Sequence, residues 1–222
     1  MRYANSIIDP SQVNLVTING AMPVDEILTH LTSHGCTNVT GQLDAQHSSR
    51  TPVSSGGFGD VYLGYLRDGN RVGVKCLRLL VGSDHIGKKQ LRRAAHELYV
   101  WSKCNHPHIL SLIGVAEYQG CISMVSPWME NGNLSWFLPR HPEVNRGIMC
   151  FQIADGITYL HSKQVGIIHG DIKGLNILVS PGPDYTPKIT DFGNSAINSY
   201  TLQFAKTTSA PNSTLRWTVH ND

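Results

Sequence analysis

Residues 167–193 read IIHGDIKGLNILVSPGPDYTPKITDFG, and they are the stretch around which the rest of this chain of 222 residues is organised. Two short apolar runs, Ile167–Ile168 and Ile177–Val179, have the composition of β-strands. The segment from 180 to 186 contains two prolines and a glycine, which is typical of a turn. The pattern therefore predicts a polar loop that is followed by a β-hairpin.

Three polar side chains flank these runs, namely Asp171, Asn176 and Asp191. Phosphoryl transfer from a nucleotide needs one carboxylate that accepts a hydroxyl proton. It also needs an amide oxygen and a second carboxylate that hold Mg²⁺ against the phosphates. An isolated His-x-Asp or Asp-Phe-Gly triplet is as readily a turn whose aspartate caps its own backbone. The two triplets together, with Asn176 at the required spacing, favour the catalytic interpretation.

The stretch resembles the catalytic loop and the Asp-Phe-Gly segment of protein kinases. The resemblance implies that Asp171 is the catalytic base, that Lys173 contacts the transferred phosphate, and that Asn176 and Asp191 ligate Mg²⁺. Lys173 also favours serine or threonine over tyrosine as the acceptor. Gly170 stands where the family has an arginine that receives a phosphorylated activation loop. We therefore expect control by activation-loop phosphorylation to be weak or to follow another route.

Residues 54–62, SSGGFGDVY, form a glycine-rich segment that runs into a β-type pattern. Backbone N–H groups of such a loop can approach phosphate oxygens without obstruction by side chains. Glycine turns are common, so the segment alone is weak evidence. It resembles the glycine-rich loop of protein kinases, with Ser54 in place of the first glycine. That departure predicts a weaker grip on nucleotide rather than its loss.

The next segment strengthens this interpretation. Asp68-Gly69 predicts a tight hairpin, with a return strand over Arg71–Leu79. Within that strand, residues 72–75 read VGVK and resemble the Val-Ala-Ile-Lys strand of the kinases, with Gly73 in place of alanine. The resemblance implies that Lys75 holds the α- and β-phosphates and that Glu97 is its ion-pair partner. The alternative for Glu97 is an ordinary solvated carboxylate on a helix.

Residues 122–129, ISMVSPWM, predict a strand that ends in a linker and resemble the hinge between the kinase lobes. The resemblance implies that Ser126 is a small gatekeeper with an open pocket behind it. The carbonyl of Pro127 and the N–H of Met129 would recognise adenine. The residues assigned to nucleotide contact are Ser54, Gly56, Gly57, Phe58, Gly59, Val61, Gly73, Lys75, Ser126, Pro127, Met129 and Leu178.

Helical periodicity predicts three helices, over residues 23–34, 86–104 and 147–160. Their expected buried faces are Val24, Ile27, Leu28 and Leu31 in the first; Leu91, Ala94, Ala95, Leu98 and Trp101 in the second; and Ile148, Phe151, Ile153, Ile157 and Leu160 in the third. Trp101 should pack toward Phe192.

Several histidines invite a metal-site interpretation. His30, His34 and Cys36 lie close together in sequence, but no fourth ligand clusters with them, so a solvated helix end is favoured over a zinc site. His106 and His108 fall in a segment that resembles the His-Pro-Asn-Ile motif of kinases. We therefore expect these two side chains to be structural.

Composition narrows the class of protein. A formal net charge of +2 gives no indication of binding to nucleic acid or to an anionic membrane. The sequence has no apolar run long enough to span a membrane, and its first residues lack a signal-peptide pattern. Five cysteines, an odd number with no Cys-x-x-Cys pair, indicate reduced thiols in a cytosolic or nuclear protein, and we expect a cytoplasmic location.

Residues 215–218, LRWT, resemble the end of the activation loop in tyrosine-kinase-like Ser/Thr kinases, but the family's Ala-Pro-Glu motif does not follow. The sequence thus predicts an α+β, kinase-like fold in two lobes that is truncated after this loop. The expected organisation is an N-terminal extension over 1–49, an N-lobe over 50–125, a hinge over 126–133 and a partial C-lobe over 134–222. We expect a partner protein to cover apolar surface on the helix at 147–160.

Taken together, the motifs predict an ATP- and Mg²⁺-dependent protein kinase that phosphorylates serine or threonine hydroxyls of a protein substrate. One alternative is a pseudokinase-like module that binds nucleotide or a partner and transfers nothing. Another is a chain that does not fold stably. Nucleotide binding measured beside phosphate transfer separates the first two, and cooperative unfolding in urea tests the third.

Overall fold

The structure is a computed structural model that describes residues 23–33, 35–56, 59–77, 94 and 97–197. Some sequence predictions lie outside these residues. Among them are Leu91 and Ala95 of the second predicted helix, Gly57 and Phe58 of the glycine-rich segment, and the activation-loop end at 215–218.

A five-stranded antiparallel sheet forms the first half of the fold. Its strands are β1 (Ser54–Gly56), β2 (Gly59–Tyr65), β3 (Arg71–Cys76), β4 (Gly114–Tyr118) and β5 (Cys121–Pro127), in the spatial order β1-β2-β3-β5-β4. The predicted hairpin at Asp68-Gly69 joins β2 to β3. The return strand is shorter than predicted: it ends at Cys76, and Leu77 keeps only a hydrogen bond from its N–H to the Ile122 carbonyl, at 2.9 Å.

The first helix, α1 (Val24–Ser33), lies against β4 and β5. It buries Ile27, Leu28 and Leu31, which belong to the predicted apolar face. The chain then adds to the edge of β4, where the Val39 N–H donates to the Val115 carbonyl at 2.8 Å. The segment before residue 50 therefore packs on the sheet, and the boundary between an extension and an N-lobe stays a prediction.

Helical residues 97–102, with Ala94 one turn earlier, form α2. Leu98 and Trp101 are buried in one apolar cluster with residues of α1, β4 and β5. The helix ends two residues before the predicted Cys104. Glu97, on its first described turn, is 3% exposed, so it is not a solvated carboxylate.

The second half of the fold, as far as the structure describes it, combines helices with two short strand pairs. Its elements are α3 (Leu134–Phe137), α4 (Arg146–His161), β6 (Ile167–Ile168), β7 (Ile177–Val179), β8 (Pro187–Ile189) and β9 (Ala196–Ile197). Strand β7 pairs with β8, and β6 pairs with β9, both antiparallel. Asn145 caps the start of α4, since its side chain accepts from the Ile148 N–H. The predicted helix and β-hairpin are thus present around the central loop.

The predicted buried face of α4 is wrong in two positions. Ile148 and Phe151 are 56% and 74% exposed, whereas Met149, Gly156 and Leu160 are the buried residues. The predicted Ile153 and Ile157 are partly buried against the core. The helix carries apolar residues around most of its circumference, so its periodicity does not select one face.

The fold is α+β with a β-rich lobe and a mainly helical lobe, as the sequence predicted. No helix in the described part of the chain is both long enough and apolar enough to cross a membrane.

Candidate active site

The hairpin of β7 and β8 brings two candidate ligands to the same end. Asn176 directly precedes β7, and Asp191 follows β8 by two residues. Because the two strands are antiparallel, these ends meet, and the Thr190 N–H donates to the Asn176 carbonyl at 3.0 Å. Residues 15 positions apart in sequence are therefore neighbours at the centre of the molecule.

The carboxylate of Asp171 lies beside them and is 2% exposed. Its Oδ2 accepts a charge-assisted hydrogen bond from Lys173 Nζ at 2.7 Å and a further one from Asn176 Nδ2 at 3.1 Å. The same amide nitrogen donates to the Asp171 carbonyl at 2.9 Å. These contacts supply hydrogen bonds to Oδ2 of a buried carboxylate and restrict the orientation of the side chain.

His169 links this loop to the segment after β8 through both nitrogens of its ring. Its Nε2 lies 3.0 Å from the Thr190 carbonyl, which can only accept, so Nε2 carries the proton. Its Nδ1 then accepts the N–H of Asp171 at 3.3 Å. Burial lowers the pKa of His169, although the bond to Thr190 opposes that shift. The imidazole is therefore a neutral structural link between the loop and the segment after β8.

Lys75 connects the sheet to this site. Its Nζ lies 2.6 Å from Glu97 Oε1 on α2 and 3.4 Å from Asp191 Oδ1. Burial alone would lower the pKa of Lys75, but the two carboxylates outweigh it and the pKa is raised. The ammonium is thus charged and held at the point where strand β3, α2 and the Asp-Phe-Gly segment meet.

Asp191 has a left-handed backbone, with φ of 70° and ψ of 70°. Such a conformation is uncommon for aspartate and persists where surrounding contacts determine it. The next residue, Phe192, is fully buried, and its ring lies 6.4 Å from that of Trp101 and 5.1 Å from that of His169. The predicted contact between Trp101 and Phe192 is therefore present, and it anchors the segment.

The donor set fits Mg²⁺. Both amide hydrogens of Asn176 point at Asp171, so its Oδ1 lies on the opposite side of the amide group. An amide oxygen and the Asp191 carboxylate are hard oxygen ligands of the kind that Mg²⁺ takes, with water and phosphate oxygens completing its octahedron. Lys75 beside Asp191 would supply the positive charge that a polyphosphate needs.

Most of the described residues assigned to nucleotide contact lie on β1, β2 and β3 or at the hinge. Ser54 pairs with Val61, which in turn pairs with Lys75, and Gly73 pairs with Ser126. Strand pairing thus brings most of the candidate set onto neighbouring strands. Gly56 and Gly59 end and begin the strands of the glycine-rich hairpin, while Gly57 and Phe58 lie outside the described residues.

The hinge contacts the second lobe directly. Leu178 forms an isolated antiparallel β-bridge with Asn133, and the Val179 N–H donates to the Gly132 carbonyl at 2.9 Å. Strand β5 ends at Pro127, from which Met129 is two residues away. Leu178 is therefore next to the hinge, as an assignment to the nucleotide-binding set requires. The backbone contacts predicted for Pro127 and Met129 with adenine stay predictions.

Asn194, which the sequence did not indicate as a site residue, completes the surroundings of Asp171 together with Gly170. Asn194 Nδ2 lies 3.4 Å from Asp171 Oδ2. Gly170 has a φ of 76°, and a Cβ added there would lie 2.5 Å from the Asn194 carbonyl oxygen. No local pattern marks this contact, because it depends on the pairing of β6 with β9.

The remaining histidines have structural surroundings. His106 stacks on Tyr159 of α4, with ring centroids 4.8 Å apart, and both His106 and His108 face Asp155 of the same helix at 3.5 and 3.8 Å. Of the three residues weighed as a zinc site, Cys36 is buried and His34 lies outside the described residues.

Comparison with known proteins identifies the class. The family described as "Protein kinase domain" matches residues 48–217, and the chain belongs to that family. A probable receptor-like protein kinase of Arabidopsis thaliana is 36% identical over 149 residues, which are 64% of this chain and 17% of the relative. A probable LRR receptor-like serine/threonine-protein kinase of the same plant is 33% identical over 153 residues, 65% of this chain and 15% of the relative.

A third relative, wall-associated receptor kinase-like 14 of Arabidopsis thaliana, is 33% identical over 156 residues, which are 68% of this chain and 21% of the relative. The chain spans about a fifth or less of the length of these relatives. The similarity thus shows the domain family.

Proposed function

We propose that this chain transfers the γ-phosphoryl group of ATP to serine or threonine hydroxyls of a protein substrate. The observation that carries the proposal is the position of Lys75 Nζ, between Glu97 at 2.6 Å and Asp191 at 3.4 Å. A charged lysine beside a candidate metal ligand is the arrangement that polyphosphate binding requires. The three relatives described above carry kinase names, which supports the same class of reaction.

In the proposed reaction, Asp171 accepts the proton of the substrate hydroxyl as its oxygen attacks the γ-phosphorus. The bond from that phosphorus to the β–γ bridging oxygen breaks, and ADP leaves with the electron pair. Lys173, which already contacts Asp171, would donate to the transferred phosphoryl group. Lys75 would hold the α- and β-phosphates, and its pairing with Glu97 would keep it in position.

Asn176 and Asp191 would hold Mg²⁺, which neutralises charge on the phosphates when it is bound. The assigned residues of the glycine-rich hairpin would cover the phosphates. Val61 and Gly73 would lie over adenine, and Pro127 and Met129 would recognise its edge. Ser126, buried beside Gly73, would leave space behind the adenine.

The test uses the purified chain with radiolabelled ATP, Mg²⁺ and a generic Ser/Thr peptide. We expect phosphate incorporation that depends on Mg²⁺ and is lost in an Asp171→Asn variant. Nucleotide binding is followed in parallel by thermal shift. Binding without transfer, unchanged by Asp171→Asn, would instead support a binding module that performs no chemistry.

We further propose the domain boundaries given by the sequence and a cytoplasmic location. The five cysteines are free thiols, which supports a reducing compartment.

The exposed Ile148 and Phe151 of α4 support the proposal that a partner protein covers this face. The test compares the sedimentation of the parent and a Phe151→Ser variant over a range of concentrations. If the parent self-associates and the variant sediments in the same way, that contact is contradicted.

A further inference from the structure

We propose that Asn194 is a positioning residue that fixes the carboxylate of Asp171, and that Gly170 provides the space that it needs. The inference rests on the proposed function, because it gives Asn194 a part in the same reaction. It assigns a role to a residue outside the set that the kinase motifs supply.

Asn194 reaches Asp171 because two strands pair. Ile168 of β6 lies opposite Ala196 of β9, so the chain two residues before Ala196 runs beside the chain two residues after Ile168. A turn of 3₁₀ helix over Phe192–Asn194 holds this segment. Both the N–H and the hydroxyl of Ser195 donate to the Phe192 carbonyl, at 3.0 and 2.6 Å. Asn194 therefore projects from a fixed turn next to a fully buried anchor.

Gly170 is the counterpart of this turn. Its φ of 76° lies in the left-handed region, and an added Cβ would meet the Asn194 carbonyl oxygen at 2.5 Å and its carbon at 3.4 Å. Both atoms are backbone, so they cannot move aside as a flexible side chain could. Glycine at this position permits the approach of the Asn194 backbone, and any other residue would displace it.

The side chain of Asn194 shares its acceptor with two others. Lys173, Asn176 and Asn194 donate to the same oxygen, Asp171 Oδ2, at 2.7, 3.1 and 3.4 Å. The three donors come from two segments of the chain, since Asn194 belongs to the segment after Asp191 and the others to the loop itself. Rotation of Oδ2 away from its position would break all three contacts, so Asn194 adds a restraint from a segment outside the loop.

This arrangement gives a second meaning to the glycine at 170. The sequence indicates the loss of an arginine that would bind a phosphorylated loop. The structure shows that the same glycine admits a neutral amide to the catalytic carboxylate. Asp171 would thus be held by a contact built into the chain, with no phosphate required.

The kinetic test compares the parent with Asn194→Ala in the phosphotransfer assay. We expect kcat to fall about tenfold, the effect of one hydrogen bond to a charged group. KM for ATP should not change, because the contact that the substitution removes is made to Asp171, which is not among the residues assigned to nucleotide. Unchanged kcat, or a loss of kcat accompanied by an equal rise in KM for ATP, would overturn the proposal.

The matched control is Asn70→Ala. Asn70 Nδ2 donates to Asp68 Oδ2 at 2.9 Å, so the same chemical contact is removed at the β2–β3 hairpin, remote from Asp171. We expect kcat of this variant to equal that of the parent. A fall similar to that of Asn194→Ala would show a general effect of losing an amide and would overturn the proposal.

A second measurement does not depend on catalysis. In ¹⁵N-labelled protein, the side-chain amide signal of Asn194, assigned by its loss in Asn194→Ala, should move in an Asp171→Ala variant while that of Asn70 stays. An unmoved Asn194 signal would overturn the proposal. If the parent transfers no phosphate, the proposed function fails, and this spectrum alone decides whether Asn194 holds Asp171.

Discussion

Lys75 Nζ and Glu97 Oε1 lie 2.6 Å apart, and they join strand β3 to helix α2 across the apolar core of the sheet. The side chain of Glu97 is 4% exposed, so the contact with Lys75 offsets the cost of burying a carboxylate. The contact thus has two roles that mutation can separate. It stabilises the fold, and it keeps the ammonium group beside Asp191.

Replacement of Lys75 by methionine should therefore have two effects. The free energy of unfolding should fall by about 2 kcal/mol, because a buried carboxylate loses its partner. Affinity for ATP should fall at least about tenfold, because the charge that binds phosphate is gone. Urea unfolding and titration with a fluorescent ATP analogue measure the two quantities.

The double variant Lys75→Met/Glu97→Gln is the control for this prediction. Removing the unpaired charge should restore most of the stability and leave nucleotide affinity low. If ATP binds either variant as tightly as the parent, Lys75 is not at the phosphate site.

The buried imidazole of His169 should make the stability of the folded protein depend on pH. Its pKa is lowered in the folded protein by burial, whereas in the unfolded chain it lies near the ordinary value of about 6.5. Between the two pKa values the unfolded state binds more protons, so stability rises with pH through that window. On acidification from pH 7.5 to 5.5, the parent should lose about 1 kcal/mol that a His169→Gln variant retains.

Glutamine at 169 can still donate to the Thr190 carbonyl but does not titrate, so the difference between the two proteins isolates the imidazole. Chemical unfolding at both pH values gives that difference. Equal losses in the parent and the variant would show that protonation of His169 does not oppose folding.

The sequence predicted those parts of the molecule that depend on local signals. Asp68-Gly69 predicts its hairpin because the turn chemistry is contained in the two residues. Ile27, Leu28 and Leu31 predict the buried face of α1 because they recur at helical spacing on an otherwise polar helix. Lys75, Asp171 and Asp191 occur in the order of the kinase motifs, and this order indicated the family. Such motifs identify side chains that the fold brings together although they are distant in sequence.

What the sequence did not predict depends on contacts between distant segments. Gly170 was understood as a lost arginine, since its contact with Asn194 exists only once β6 and β9 have paired. Phe151 was expected inside because it is apolar and lies on a helix. In α4, however, neighbouring apolar residues compete for the buried positions, and tertiary packing selects Met149 instead.

A substitution at Gly114 tests how tightly the segment after α1 packs against the edge of β4. A Cβ at this position would lie 2.2 Å from the Thr37 carbonyl oxygen, and backbone atoms would have to move. Gly114→Ala should therefore lower the free energy of unfolding by about 2 kcal/mol, the typical effect of overpacking. Urea unfolding measures it.

Gly41→Ala is the matched control in the same segment, because a Cβ there meets nothing within 4 Å. Its stability should be unchanged or raised by about 0.5 kcal/mol through restriction of the unfolded chain. Equal stability of the two alanine variants would show that the segment before residue 50 does not press on β4.

Helix α4 offers a test of its corrected orientation through two apolar residues that stand two positions apart. Met149 is 4% exposed and Phe151 is 74% exposed. Met149→Ser should cost about 3 kcal/mol, because it leaves a cavity and a buried hydroxyl. Phe151→Ser should change stability by no more than about 0.5 kcal/mol, since a solvated ring contributes little to folding. Urea unfolding of the two variants gives the comparison, with the slope against urea checked for constancy. If Phe151→Ser were the more damaging of the two, the helix would have to be rotated so that the face predicted from the sequence is the buried one.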